Sequence, residues 1–418
     1  MIKKTIIFIE KYGFLFIFLF CFGFFSPDLT PKLGLMLDDS VSVEDGSKSS
    51  VLKQVFWLFL FGFFVLRTYS RKDVILTVSK SKLLLIFLAI CSYCLITSFW
   101  SDFPSLTIKR SIFQLIFSFT VVLSIYFVCY HNNLTNSILL VSCFIFALIC
   151  FSVLNGTGFD RVGALTGFAR GKNVLGQNLL VLLGVLLICL KSSSSSKKYL
   201  TILCGVFFIL LVLTQSKTSI LTFLVFLFFI NTSKVFSRLL IPITFFVLAS
   251  VFIFIPGLSA FFSDYTHVGL YLSPEAITGR GMIWETLYYD LNYFNKIPAG
   301  YGYSSYFNTG VVPYLFDDGW SYLSRINSSH NGFIDIFVQF GFYGSIIIVM
   351  CLFYIYLGIK DKILIACCII PLINNITEAT FLRDQNMVWL FVITIFTLSR
   401  VTNSAYKYSS EVKKGFKL

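Results

Sequence analysis

Charge is scarce in this chain. Asp, Glu, Lys and Arg together supply 13% of the 418 residues, hydrophobic residues supply 57%, and the mean hydropathy is +0.84. A soluble domain is about 25% charged, so too little polar surface is present to cover a water-soluble globule, and the chain reads as an all-α polytopic membrane protein. An Ala-x-Ala type site is missing after the first apolar stretch, where Ser26, Pro27 and Asp28 follow instead. That stretch is therefore read as an uncleaved span and not as a removed signal peptide. Cysteine is absent from every segment between the apolar runs: all eleven, from Cys21 to Cys368, fall inside them. A disulfide framework is excluded on that pattern. Cys91 and Cys94 form a CxxC inside a run, with neither a second CxxC nor a nearby His, and are read as packing residues. A basic soluble segment interleaved with aromatics is also lacking, which argues against nucleic acid as a partner.

What is present is a series of twelve apolar runs, at 12–26, 54–66, 83–100, 111–130, 138–154, 174–190, 199–214, 218–230, 239–256, 340–357, 363–376 and 387–398. Several fall short of the roughly 20 residues that a full span needs. The pair separated only by Gln215, Ser216 and Lys217 is compatible with one broken helix. The expected organisation is nine spans within 1–256, a long loop at 257–331, three more spans within 332–399, and a basic tail at 400–418. Charge placement orients it. With the N-terminus inside, 20 of the 33 Lys and Arg lie on the inner side together with four of the 20 acids. The net charge of +13 is then an orientation signal under the positive-inside tendency, suited to anionic inner-leaflet lipid.

That orientation leaves one outer loop, 257–331, far longer than any other. It carries Thr278-Gly279-Arg280 ahead of Trp284, a Gly300-Tyr301-Gly302-Tyr303 stretch, and Ser328-Ser329-His330-Asn331 at its end. Trp284, Tyr288, Leu291 and Phe294 recur at near-helical spacing, the pattern of an amphipathic helix lying at the membrane interface. Its aromatics and the tyrosines after it serve either a headgroup belt or stacking on sugar rings. His330 and Asn331 stand where the polar segment meets the next apolar run, with Gly341 and Gly344 following. The plain reading is that Asn331 caps a helix and that the two glycines, three apart on one face, admit another helix closely. The alternative is that the polar pair does chemistry. Arg161, Arg170, Lys172, Lys217, Arg280 and Arg325 lie on the same outer side, against the charge bias. Each alone is explained by an acid or a lipid phosphate, but as a set they ask for an anionic partner, and Arg forks and Lys point charges match phosphate.

Taken together these residues resemble the O-antigen ligase superfamily, the bacterial membrane glycan polymerases and ligases. The resemblance rests on His330-Asn331 with Gly341 and Gly344, on Thr278-Gly279-Arg280 with Trp284, on Gly167-Phe168 followed by Gly171-Lys172-Asn173 and Leu175-Gly176, and on Gln215-Ser216-Lys217-Thr218-Ser219. Glu378 and Trp389 add to it. It implies a type C glycosyltransferase architecture of about twelve transmembrane helices with one long periplasmic loop. The implied enzyme works at the periplasmic face of the inner membrane, with both termini cytoplasmic. Its donor is a polyprenyl-diphosphate-linked glycan, and no cofactor or divalent ion is implied; no DxD motif is present to hold one. A chain-length regulator and a flippase of the same pathway are the protein partners that fit. The implied roles are Arg280 and Lys217 on the diphosphate, Arg170, Lys172 and Arg161 assisting, His330 orienting or deprotonating the acceptor hydroxyl, and Asn331, Gly341, Gly344 and Trp284 supporting. Lys217 stands where many ligases carry arginine, which favours polymerisation of lipid-linked repeats over transfer to lipid A core. A transporter or flippase is the rival class. It would place ionisable groups in broken mid-membrane helices, whereas here they fall almost wholly outside the runs.

Overall fold

The computed structural model describes residues 2–30, 51–71, 81–192, 196–262, 276–309 and 326–415, and within them the chain is helical with no strand. Arg325 and the middle of the Ser192 to Ser196 tract lie outside the described residues. Each of the twelve apolar runs falls on helix. In chain order these are α1 (Ile2–Phe22), α2 (Val51–Tyr69), α3 (Lys82–Ile96), α4 (Pro104–Tyr130), α5 (Leu134–Leu154), α6 (Lys172–Ser192), α7 (Lys197–Leu213), α8 (Lys217–Asn231) and α9 (Lys234–Ala249). Then come α10 (Ile255–Phe262), α11 (Ala276–Tyr293), α12 (Gly332–Leu357), α13 (Lys362–Cys367), α14 (Ile369–Thr377) and α15 (Met387–Gly415). Among the described residues seven helical stretches are long and apolar enough to cross a membrane, short of the expected twelve. The remaining runs form shorter apolar helices, among them Leu85–Phe99, Lys217–Asn231, Lys362–Thr377 and Met387–Val401.

Two expected boundaries shift. Residues 257–262 belong to helix, because α9 passes through a five-residue π turn, Ser250–Phe254, straight into α10, so the ninth run does not stop at Pro256. At the other end α15 runs on past residue 399 to Gly415. The 214–217 link is a true break, with Gln215 in a left-handed conformation (φ 53°) between α7 and α8.

Helix α4 is the central post, packed on α1, α2, α3 and α15. Lipid supplies no hydrophobic drive for helices to associate, so close fit and polar contacts hold them. The fit is aromatic at the interface of α1, α2 and α4, where Trp57, Phe20, Phe56 and Phe117 meet with ring centroids 4.7 to 5.4 Å apart. Beyond it, Glu10 of α1 is fully buried and bonds Arg67 at 2.7 Å and His131 at 2.9 Å, with Arg71 at 3.8 Å. A carboxylate placed there without partners would be expensive, and three are supplied.

Candidate active site at a recessed helix break

The site is organised by α12, which is two helices and not one rod. At Gly341 the backbone leaves helical geometry (φ 63°, ψ −168°). The arms 332–340 and 342–357 then fold back on one another, as contacts along α9 show: Phe245 meets Phe333 at 5.9 Å, while the adjacent Phe246 meets Phe353 at 4.6 Å. The second arm runs antiparallel to α9 and α10, since Phe342 lies on Gly257 and Arg238 donates to the Leu357 carbonyl at 3.0 Å. The first arm therefore starts beside Phe245 and Phe252 and climbs to Gly341, level with Gly257. At 1.5 Å per residue its start lies about 10 Å below that level.

This corrects the reading of Gly341 as a site of helix packing. Gly341 meets the backbone of 299–300, and the carbonyls of Val338 and Gln339, freed by the break, accept from the N–H of Tyr301 and Gly302 at 2.9 Å each. The Gly/Tyr stretch is thus a plug for a broken helix. Gly344 does meet another helix, with Tyr93 of α3 against it.

Helix α11 descends into the same region, so its aromatic face is not interfacial. Trp284, Tyr288 and Leu291 are buried; Trp284 Nε1 donates to the Ser329 carbonyl at 2.8 Å, and Tyr288 lies 5.7 Å from Phe337. Tyr301 and Tyr303 are buried as well and present no open sugar-stacking face. Among the described side chains of α11 the exposed ones are Tyr289 and Tyr293, stacked at 6.2 Å.

Near the start of α11, Arg280 reaches Glu378, at the end of α14, with Nη2 to Oε1 at 3.1 Å. The other carboxylate oxygen faces His330 Nδ1 at 3.4 Å. The carboxylate only accepts, so in this contact Nδ1 is the donor and Nε2 is the ring nitrogen turned away from Glu378. The three side chains are 18 to 27% exposed, which makes them reachable yet poorly hydrated. His330 itself sits at φ 52°, a conformation costing a non-glycine residue about 1 kcal/mol or more. Its neighbours fix it: Asn331 caps α12 by accepting from Phe333 N (2.9 Å) and Ile334 N (3.1 Å), and its amide donates to the Ile376 carbonyl at 3.1 Å.

Glu378 is as deep as His330. Helix α15 begins beside Phe87, where Trp389 packs at 5.8 Å, while Tyr93, further along α3, is level with Phe340 and Gly344. The 378–386 connection thus also lies about 10 Å below the Gly341 level, which explains why the apolar helices on either side of it are short.

The other predicted cations form a second group. Lys172 and Lys217 open α6 and α8, and Gly176 lies against Ser216 and Ser219, so the two helix starts are adjacent. Helix starts attract anions. The 155–171 segment rests on them: Leu165 N donates to the Leu213 carbonyl at 2.9 Å, while Asp160 accepts from Val162 N and Ala164 N and shapes the turn that exposes Arg161. Arg170 is exposed just before α6. Both groups sit at one end of the bundle, because α8 and α9 are joined by a tight turn, with Ser237 Oγ donating to the Phe229 carbonyl, and α9 runs antiparallel to the second arm of α12. Among the described residues no hydrogen bond or ion pair joins Lys172 or Lys217 to the Arg280–Glu378–His330 group.

Comparison with known proteins bears on this arrangement. Residues 200–349 match the family model described as O-antigen ligase. The match spans about a third of the chain and supports its resemblance to the O-antigen ligase superfamily. The match runs from α7 into the second arm of α12 and contains Lys217, Arg280, Trp284, His330, Asn331, Gly341 and Gly344. Similarity to this family suggests ligase- or polymerase-type glycan transfer by a membrane glycosyltransferase-like enzyme and does not separate the two. No curated protein and no solved structure matches the chain. Asp335 and Arg383, which pair with one another at 3.0 Å, carried no sequence signal beyond standing five residues after His330 and Glu378.

Proposed function

We propose that the protein polymerises polyprenyl-diphosphate-linked oligosaccharide repeats into a surface polysaccharide at the periplasmic face of the bacterial inner membrane. The observation that carries this reading is that Arg280 and His330 share the two oxygens of one carboxylate, Glu378, in a recessed but open site. In the proposed reaction an acceptor hydroxyl attacks the anomeric carbon of the donor sugar. The bond from that carbon to the phosphate oxygen breaks, the diphosphate leaves with the electron pair, and the acceptor proton passes to His330 Nε2. Glu378, on Nδ1, stabilises the imidazolium that forms. The developing negative charge falls to Arg280, with Lys217 and Lys172 on the distal phosphate and Arg170 and Arg161 at the rim, so side-chain cations do the work a metal ion would do elsewhere. The entering diphosphate competes with Glu378 for Arg280, and its arrival turns Glu378 towards His330.

Losing a fixed donor to a developing oxyanion costs about 100- to 1,000-fold in kcat. Arg280→Ala is expected to fall in that range when purified enzyme is given lipid-linked repeats; a rate near wild type would remove Arg280 from the reaction. Transfer of the finished glycan to lipid A core uses the same chemistry, and gene deletion separates the two. Polymerase loss leaves single repeats on the core, whereas ligase loss leaves the core bare.

A further inference from the structure

His330 and Glu378 come from two separate loops, and each is followed five positions on by a second charged residue, Asp335 in the first turn of α12 and Arg383 in the second loop. These two form an ion pair of their own, Arg383 Nη2 to Asp335 Oδ2 at 3.0 Å. Asp335 is the hub of the His330 loop. Its Oδ1 accepts from Ser329 N at 3.1 Å and from Ser329 Oγ at 2.8 Å, its Oδ2 accepts from Gln339 Nε2 at 3.4 Å, and the side chain is only 3% exposed. Arg383 also donates to the Asn327 carbonyl at 3.2 Å. One guanidinium therefore ties residue 327 of the first loop and residue 335 of α12 to the second loop. The direct contact between His330 and Glu378 is long, 3.4 Å. It does not by itself hold a histidine in a left-handed backbone conformation, which persists only where the surroundings impose it.

We propose that Asp335 and Arg383 are positioning residues: their ion pair sets the separation of His330 and Glu378. The kinetic consequence rests on the glycosyl-transfer reading above; the geometric one does not. Arg383 contacts neither the His330 ring nor the Glu378 carboxylate, so its effect must pass through the two loops. A catalytic group displaced by about 1 Å can lose 100-fold in rate. Arg383→Gln is accordingly expected to lower kcat by about that factor with donor KM little changed, since Arg280 and Lys217 are untouched. Arg383→Lys, which retains a charged donor to Asp335, should recover most of the rate.

The experiment uses full-length protein in lipid nanodiscs and adds a readout independent of turnover: acylation of His330 by diethyl pyrocarbonate at one fixed pH, followed on the peptide by mass spectrometry. His131, which is bonded to Glu10 at 2.9 Å and stands outside the site, serves as the internal control. The expected result is a several-fold faster modification of His330 in Arg383→Gln, an unchanged rate at His131, and reversal in Arg383→Lys. Unchanged His330 reactivity together with unchanged kcat overturns the proposal. Equal loss in the Gln and Lys variants with a lowered Tm in both also overturns it, as it marks a structural residue only. Faster modification with an unchanged kcat supports the clamp and instead removes His330 from the transfer step. Arg383, at 33% exposure, is the variant site of choice because a change at the buried Asp335 risks the fold.

Discussion

Gly341→Ala tests whether the broken α12 is what holds the site. A Cβ built on Gly341 collides with Gly300 N and lies 2.5 Å from both Ala299 N and Ala299 C, all backbone atoms that have no rotamer to yield. The local φ of 63° with ψ of −168° is essentially glycine-only and costs an alanine about 1 to 3 kcal/mol. Relieving the clash means lifting 297–302 off the break, which gives up Tyr301 N to Val338 O, Gly302 N to Gln339 O and Phe342 N to Ile297 O, each worth about 1 kcal/mol. The expected loss is therefore roughly 4 to 6 kcal/mol. Gly344→Ala is the graded control, since its Cβ would meet the Tyr93 hydroxyl at 2.7 Å and Phe340 Cβ at 2.8 Å within regular helix; some 1 to 3 kcal/mol fits that overpacking. Gly62→Ala, with nothing within 4 Å, is the neutral reference. The assay is thermal unfolding of the full-length protein in one detergent at one scan rate, because unfolding of such proteins is often irreversible. The order expected is Gly62→Ala above Gly344→Ala above Gly341→Ala. A Gly341→Ala Tm equal to that of Gly62→Ala would refute the argument, since the break would then not be required.

Two further outcomes are expected. Lys217→Ala removes an exposed cation at a helix start, so donor KM should rise about tenfold, the low end of a charge-assisted contact, with a smaller change in kcat; an unaltered KM would take Lys217 out of the donor site. Asp290, buried with Tyr301 donating to its Oδ2 at 2.9 Å, has its carboxyl pushed up by that burial, with hydrogen bonds from Tyr306 and Tyr301 pulling it back. A carboxyl raised in the fold favours folding below its ordinary pKa, and that contribution is lost as pH rises towards the folded value. Asp290→Asn, neutral at every pH, should therefore gain Tm over wild type at neutral pH and converge with it near pH 4. A difference that does not vary with pH would mean that ionisation of Asp290 costs the fold nothing.

The helices were legible in the sequence because lipid imposes a continuous apolar run, and all twelve runs are helical. The break in α12 was half legible: the tenth run, starting at 340, marks the second arm, but nothing in Gly332 to Gln339 says that these residues climb beside it. That outcome depends on Gly300 meeting Gly341 across 41 positions of sequence, which no local pattern encodes. Trp284 and Tyr288 had the spacing of an amphipathic helix, as expected, but spacing names a face and not its partner, and the partners are Phe252 and Phe337 instead of the membrane surface. The long loop was assigned to the outer side by charge placement, which says nothing of depth; its return into the bundle is visible only when Arg280 reaches Glu378. Asp335 and Arg383 were invisible as a pair for the same reason, one being the acid nearest a run and the other a lone outer cation.

The depth of the site also bears on why a glutamate stands between two residues that the proposed reaction needs charged and basic. About 10 Å beneath the end of the bundle, water is thin and a lone guanidinium would be costly to keep. Glu378 offsets that cost at rest by holding Arg280 at 3.1 Å. An arriving diphosphate offers Arg280 a stronger bidentate acceptor, and a carboxylate displaced in this way has His330 as its remaining neighbour, at 3.4 Å. Donor binding would then move negative charge onto the Nδ1 side of the histidine in the same step that seats the leaving group, raising the basicity of Nε2 only when there is a sugar to attack. The order is open to measurement. With the donor diphosphate bound but no acceptor present, the acylation rate of His330 Nε2 should already be raised over the free enzyme, and Glu378→Gln should abolish that response while leaving the resting rate little changed.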